Sequence, residues 1–112
     1  MSFSDTSADS IIAAAVTAPA TGSTPKSIAE LLSPGAVTAI GAMQPVQVEV
    51  VPESVDVLLR DSTDTVGRPD DYFRLVAQQP EYISTLNGLS GIFLVSSAAD
   101  AKVRLLIHCR RF

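Results

Sequence analysis

The stretch Gly91-Ile92-Phe93-Leu94-Val95-Ser96-Ser97-Ala98-Ala99-Asp100-Ala101-Lys102-Val103-Arg104-Leu105-Leu106-Ile107-His108-Cys109-Arg110-Arg111-Phe112 decides the fold. Two apolar runs flank a small polar turn, a pattern that predicts a β-hairpin. In the second run Val103, Leu105, Ile107 and Cys109 share one face. Arg104, His108 and Arg110 share the other, with Leu106 among them. A period of two with large apolar residues on one side describes a strand with one buried face.

Upstream, Val46-Gln47-Val48-Glu49-Val50-Val51 alternates in the same way, and Val55 to Arg60 follows a Pro52-Glu53-Ser54 turn. Residues 46–60 therefore predict a second antiparallel hairpin. Ala36 to Met43 is apolar and is a candidate first strand, weakened by Gly41. Tyr72 to Ala77 and Glu81 to Leu86 read as further strands, separated by Gln78-Gln79-Pro80, and Asn87-Gly88 signals a tight turn. Six or seven short strands with turn chemistry between them predict a mainly β fold, a small antiparallel β-sandwich or barrel.

The polar segment Asp61 to Asp71, with Gly67-Arg68-Pro69, predicts a long loop of a kind that is often functional or mobile. Its aspartates lack the spacing of a calcium loop, and no bidentate Glu closes it. Thr24-Pro25 opens a helix predicted over residues 25–32, with Ile28, Leu31 and Leu32 on one face and Pro34-Gly35 as the stop. Such a helix would pack as a lid on the open edge or end of the sheets.

Residues 1–24 form an N-terminal arm in this reading, extended or disordered, ahead of a β domain at 25–112. The arm is mostly Ser, Thr, Ala, Pro and Gly and cannot offset its own ordering entropy. Its patch from Ser10 to Val16 is the exception. That patch could form a short helix capped by Asp9 or Ser10, or a strand laid on a partner. On this reading, deletion of residues 1–20 should leave the body folded.

The 112 residues suffice for one domain. A net charge of −4 and a pI of about 4.7 argue against nucleic-acid binding, which needs a basic face. The start lacks the basic region of a secretion signal, and Ile11 to Val16 is too short for its apolar region. No apolar run approaches the ~20 residues of a membrane-spanning helix. The expectation is a protein used without secretion signals and without a membrane partner.

Candidate chemistry is sparse. A single cysteine, Cys109, excludes an intrachain disulfide, and it reads first as a small apolar core residue, with a reactive or intermolecular thiol as the alternative. His108 has no second His and only Cys109 beside it, too little for a zinc site. Adjacent strand residues point to opposite faces, so a Cys–His nucleophile pair fails as well. No catalytic, cofactor-binding or metal-binding residues are assigned, and the expectation is a protein that is not an enzyme and carries no cofactor. Tyr72, Phe73 and Tyr82 form an aromatic group that reads first as core packing, although a tyrosine also suits an interface. Phe112 after Arg110 and Arg111 would suit docking on another subunit.

These segments carry a resemblance. Ser27-Ile28-Ala29-Glu30-Leu31-Leu32 and a strand are followed by Val55-Asp56-Val57-Leu58-Leu59-Arg60-Asp61, then a polar insert and Phe73-Arg74-Leu75, then Leu86-Asn87-Gly88-Leu89-Ser90-Gly91-Ile92-Phe93-Leu94, and finally Ala98 to Ile107 with Lys102-Val103 inside it. The order is similar to small β-sandwich structural proteins of tailed bacteriophages and spans about residues 26–107. The arm before Thr24 and the Cys-Arg-Arg-Phe ending lie outside it. The resemblance implies a virion protein made in the host cytoplasm and placed on the capsid surface. It would be a cement or decoration protein that binds the major capsid protein and itself, as a homotrimer or a dimer. On that expectation Phe3, Ile11, Ile12, Val16, Tyr72, Phe73, Arg110, Arg111 and Phe112 are the partner-binding candidates. A neck, tail or fibre-attachment component and a cellular ligand-binding β module are the other readings. The second is disfavoured by the absence of Trp and the presence of only two Tyr.

Overall fold

The computed structural model describes residues 10–85 and 88–111. Phe3, Phe112 and the Asn87 half of the expected turn lie outside the described residues. In chain order the elements are β1 (Ser10–Ala18), β2 (Lys26–Ser27), α1 (Ile28–Leu31), α2 (Pro34–Ile40), β3 (Gln44–Pro52) and β4 (Val57–Arg60). They continue with β5 (Phe73–Leu75), β6 (Glu81–Ser84), a 3-10 turn at Leu89–Gly91, β7 (Phe93–Ser96) and β8 (Ala101–Arg110). Two four-stranded antiparallel sheets pack together, with strand orders β1-β8-β3-β6 and β2-β7-β4-β5. This is the small β-sandwich expected, with eight strands where six or seven were counted.

Between the sheets, β8 contributes Val103, Leu105, Ile107 and Cys109, all buried as its alternation predicts. Val48 and Val50 of β3 meet them from the same sheet, and Val57, Leu75 and Leu94 close the core from the other. Burial pushes the Cys109 thiol up from its ordinary range, in keeping with a packing role.

Both expected hairpins are absent. β3 and β4 lie in different sheets, and so do β7 and β8. In each pair the apolar faces meet across the core, Val48 and Val50 with Val57, and Leu94 with Val103 and Leu105. Among the described residues positive φ occurs only at Gly22, Gly41, Gln78 and Gly88, so neither connection holds the left-handed residue of a two-residue hairpin turn. Each steps across the sandwich, and β4 to β5 is the one connection that stays within a sheet. Asp56 ties three of these connections together. Its Oδ1 accepts from the Ala77 amide at 2.9 Å, its Oδ2 meets Arg74 Nη1 at 3.3 Å, and its carbonyl accepts from Ser97 Oγ at 2.8 Å.

Two further expectations change. The helix expected at 25–32 is preceded by β2 and capped by Ser27 rather than Thr24. Ser27 and Glu30 form a reciprocal capping box, with Ser27 Oγ accepting from the Glu30 amide at 3.2 Å and Glu30 Oε1 from the Ser27 amide at 3.1 Å. The strand expected at 36–43 is helix α2. Ser33 caps it with Pro34 in its first turn, and Gly41 at φ 55° ends it. Pro34-Gly35 thus starts a helix instead of stopping one. The helices pack beside β1 and β2, broadly as the expected lid.

The arm expected at 1–24 contains a full strand of the sandwich. β1 pairs with β8 without interruption, from Ser10 opposite Cys109 to Ala18 opposite Ala101. Residues 19–21 then cross to β7, where Pro19 accepts from the Ser96 amide at 2.7 Å and Thr21 Oγ1 donates to the Ser96 carbonyl at 3.1 Å. Neither a separate helix nor a strand reserved for a partner describes residues 10–18.

Candidate interaction surface

The two sheets end on one flank at β6 and β5, each a free edge. β5 packs across from β3, the neighbour of β6, so the two edges lie side by side. Large apolar side chains gather there without cover. Phe73 is 57% exposed and Tyr82 59%, with Tyr72 and Val76 also exposed. Leu75 turns inward and is fully buried, so the short β5 anchors the flank while its neighbours stay outside.

The 61–71 loop rises from this flank and is braced rather than loose. Arg60, buried at the end of β4, donates from Nη1 to the Arg68 carbonyl and from Nη2 to the Pro69 carbonyl, both at 2.7 Å. The Tyr72 ring lies 5.5 Å from its guanidinium carbon, within cation–π range. Arg68 reaches Asp61 and Asp71, each at 2.8 Å. Asp71 first, through its hydrogen bond, and Asp61 next hold the Arg68 guanidinium above its ordinary pKa. At the tip, Asp64 Oδ1 accepts from the Gly67 amide at 2.8 Å, closing a turn that carries Val66 at 91% exposure. A Cβ on Gly67 would come within 2.7 Å of Asp64 Oδ2, so a larger residue there would have to displace the carboxylate that closes the turn.

Tyr82 stands over Glu49, its cross-strand partner on β3. A hydrogen bond to the Glu49 carboxylate, reinforced by that group's charge, raises the Tyr82 pKa. Glu49→Gln is therefore expected to lower the apparent pKa of Tyr82, read as phenolate absorbance in an alkaline titration of this two-tyrosine chain. A pKa raised on folding adds stability that is fully present below the unfolded tyrosine value and is lost as pH climbs through the folded one, and because Tyr82 is solvent-exposed the contribution is small. An unchanged titration curve in the variant would remove this pair from the description.

The partner-binding candidates divide between two places. Tyr72 and Phe73 lie on the β5–β6 flank, exposed instead of packed in the core. Ile11, Ile12, Arg110 and Arg111 lie away from it, where β1 meets the end of β8. There Arg111 Nη2 approaches Ser10 Oγ at 3.5 Å. Ile11 and Ile12 are half-buried, and Ile12 packs on the core. Val16 is a core residue, 4% exposed, with its side chain packed inside the sandwich. His108, placed by alternation on the outer face, is buried. Val66 and Val76 were missed. A lone valine in the polar run from Asp61 to Asp71 was the available signal for the first.

Among the described residues no three His, Cys, Asp or Glu side chains come together as a metal site, and no helix is long and apolar enough to cross a membrane. Comparison with known protein families, curated proteins and solved structures returns no match to this chain.

Proposed function

We propose that the chain is a non-enzymatic structural protein of a tailed-phage virion, a cement or decoration protein on the outside of the head. The observation that carries the reading is the β5–β6 flank. A braced loop carries Val66 at its tip, and Tyr72, Phe73, Val76 and Tyr82 are solvent-exposed on or next to the edge strands β5 and β6. Exposed aromatic and apolar side chains, with Arg68 and its aspartates in the adjoining loop, have the composition of a protein-docking surface. The resemblance of the segment order to small structural proteins of tailed phages favours the major capsid protein as the partner. In this role the sandwich is a rigid knob, and the flank bridges neighbouring capsid subunits.

Copy number tests the proposal. Quantitative mass spectrometry of purified particles of the encoding phage should find the chain in proportion to the major capsid protein. A few copies per particle would move it to the neck or tail. Its absence from particles would overturn the virion reading.

A further inference from the structure

We propose that the chain forms a twofold dimer by antiparallel pairing of β1 with the β1 of a second copy, joining two four-stranded sheets into one. The inference does not depend on the proposed function. Four strands lie at sheet edges, and three are short: β2 has two residues, β5 three and β6 four. Short edges are one way a protein discourages unwanted pairing. β1, with nine residues, is the long one, and α1 and α2 pack beside it. Its sequence, Ser10-Ile11-Ile12-Ala13-Ala14-Ala15-Val16-Thr17-Ala18, contains no charge and no proline, and its register on β8 shows no bulge.

Among the described residues, no backbone hydrogen bond reaches β1 on the side away from β8. Helices α1 and α2 pack near the strand without bonding to its backbone. Ile12 and Ala14 point inward and are half-buried, whereas Val16 and Ala18 further along the strand are buried. An unpaired edge of this length is a template for another strand.

Self-complementarity selects a second copy as the occupant. Centring the twofold on Ala14 sets Ala14 against the partner's Ala14, Ile12 against the partner's Val16 and Ser10 against the partner's Ala18. Inner-face residues then meet inner-face residues, as a continuous sheet requires. On the outer face Ile11 meets the partner's Thr17 and Ala13 meets the partner's Ala15. No like charges are brought together along the seam. The same operation carries the Arg111 end of one copy toward the Asp100 end of the other, twice per dimer, because Ser10 adjoins Arg111 and Ala18 pairs with Ala101. An isologous contact of this type closes at two copies.

Light scattering on the full chain, with two charge variants, tests the register. Ala13 and Ala15 are exposed, so both variants should fold, which circular dichroism checks. The wild-type chain is expected at twice the mass of one chain. In Ala13→Lys/Ala15→Lys each lysine faces a lysine of the partner, and the dimer should weaken ~100-fold or more. In Ala13→Lys/Ala15→Glu each lysine faces a glutamate, and the dimer should return. A wild-type monomer at every concentration would overturn the proposal and leave this edge to a strand from a different protein. A trimer, a dimer that survives the double lysine, or a folded Lys/Glu variant that stays monomeric would each overturn it as well.

Discussion

Deletion of residues 1–20 is expected to unfold the protein. The segment looks like a dispensable tail in the sequence, because it is rich in alanine and serine and holds few charges. In the structure it carries β1, which covers one edge of β8 for nine residues. Val16 and Ala18 sit fully within the core, and Ile12 packs against it. Burying one valine or isoleucine side chain is worth about 1.5–3 kcal/mol. The deletion removes one such valine and a half-buried isoleucine, strips one side of the backbone ladder from β8 and uncovers the flank on which α1 and α2 pack. The combined loss is comparable to the roughly 5–15 kcal/mol that holds a small domain together. The truncated chain should give a collapsed amide spectrum and lose its cooperative thermal transition. A dispersed, native-like spectrum would show that β1 is an accessory strand.

Arg60→Ala is expected to release the 61–71 loop while the sandwich stays folded. Arg60 is the charged residue that ends β4, yet it is buried, and both terminal nitrogens are committed to loop carbonyls. Hydrogen bonds to a charged group are worth about 1.5–3 kcal/mol each, and removing one partner strands the other. The stacked Tyr72 ring loses its cation at the same time. A stability loss of about 2–4 kcal/mol should follow. The more diagnostic readout is local. Backbone amides of residues 61–71 should show increased fast motion by nuclear magnetic resonance relaxation, with β8 unchanged. The ion pairs of Arg68 are solvent-exposed, so Arg68→Ala should cost far less. Equal effects from the two substitutions would mean that the surface ion pairs, not Arg60, shape the loop.

The contrast between Arg60 and Val66 shows how far sequence reasoning reaches here. Strand identity was legible wherever burial writes a period of two, as at Val103, Leu105, Ile107 and Cys109, or at Val48 and Val50. Pairing was not, because a strand's partner is chosen by core geometry across the whole chain. Residues 53–56 and 97–100 look like turns and serve as bridges between sheets. β1 stayed hidden because Ala13-Ala14-Ala15 has weak β propensity, and its place in the sheet depends on β8 almost ninety positions later. At the interaction surface Tyr72 and Phe73 were legible as aromatics suited to an interface. Val66 gains its meaning only from the turn closed between Asp64 and Gly67, and Arg60 from carbonyls eight and nine residues ahead.

The proposed docking of this flank on a viral capsid is tested most directly by adding the purified chain to heads of the encoding phage that lack it, then weighing bound protein after sedimentation. The wild-type chain should bind to saturation. A folded Val66→Ser/Phe73→Ser variant, altered only at exposed positions, should bind at least ~30-fold more weakly, the scale of losing an interface hot spot. Equal binding by the variant would contradict the assignment of this flank, and failure of the wild-type chain to bind would contradict the capsid reading itself.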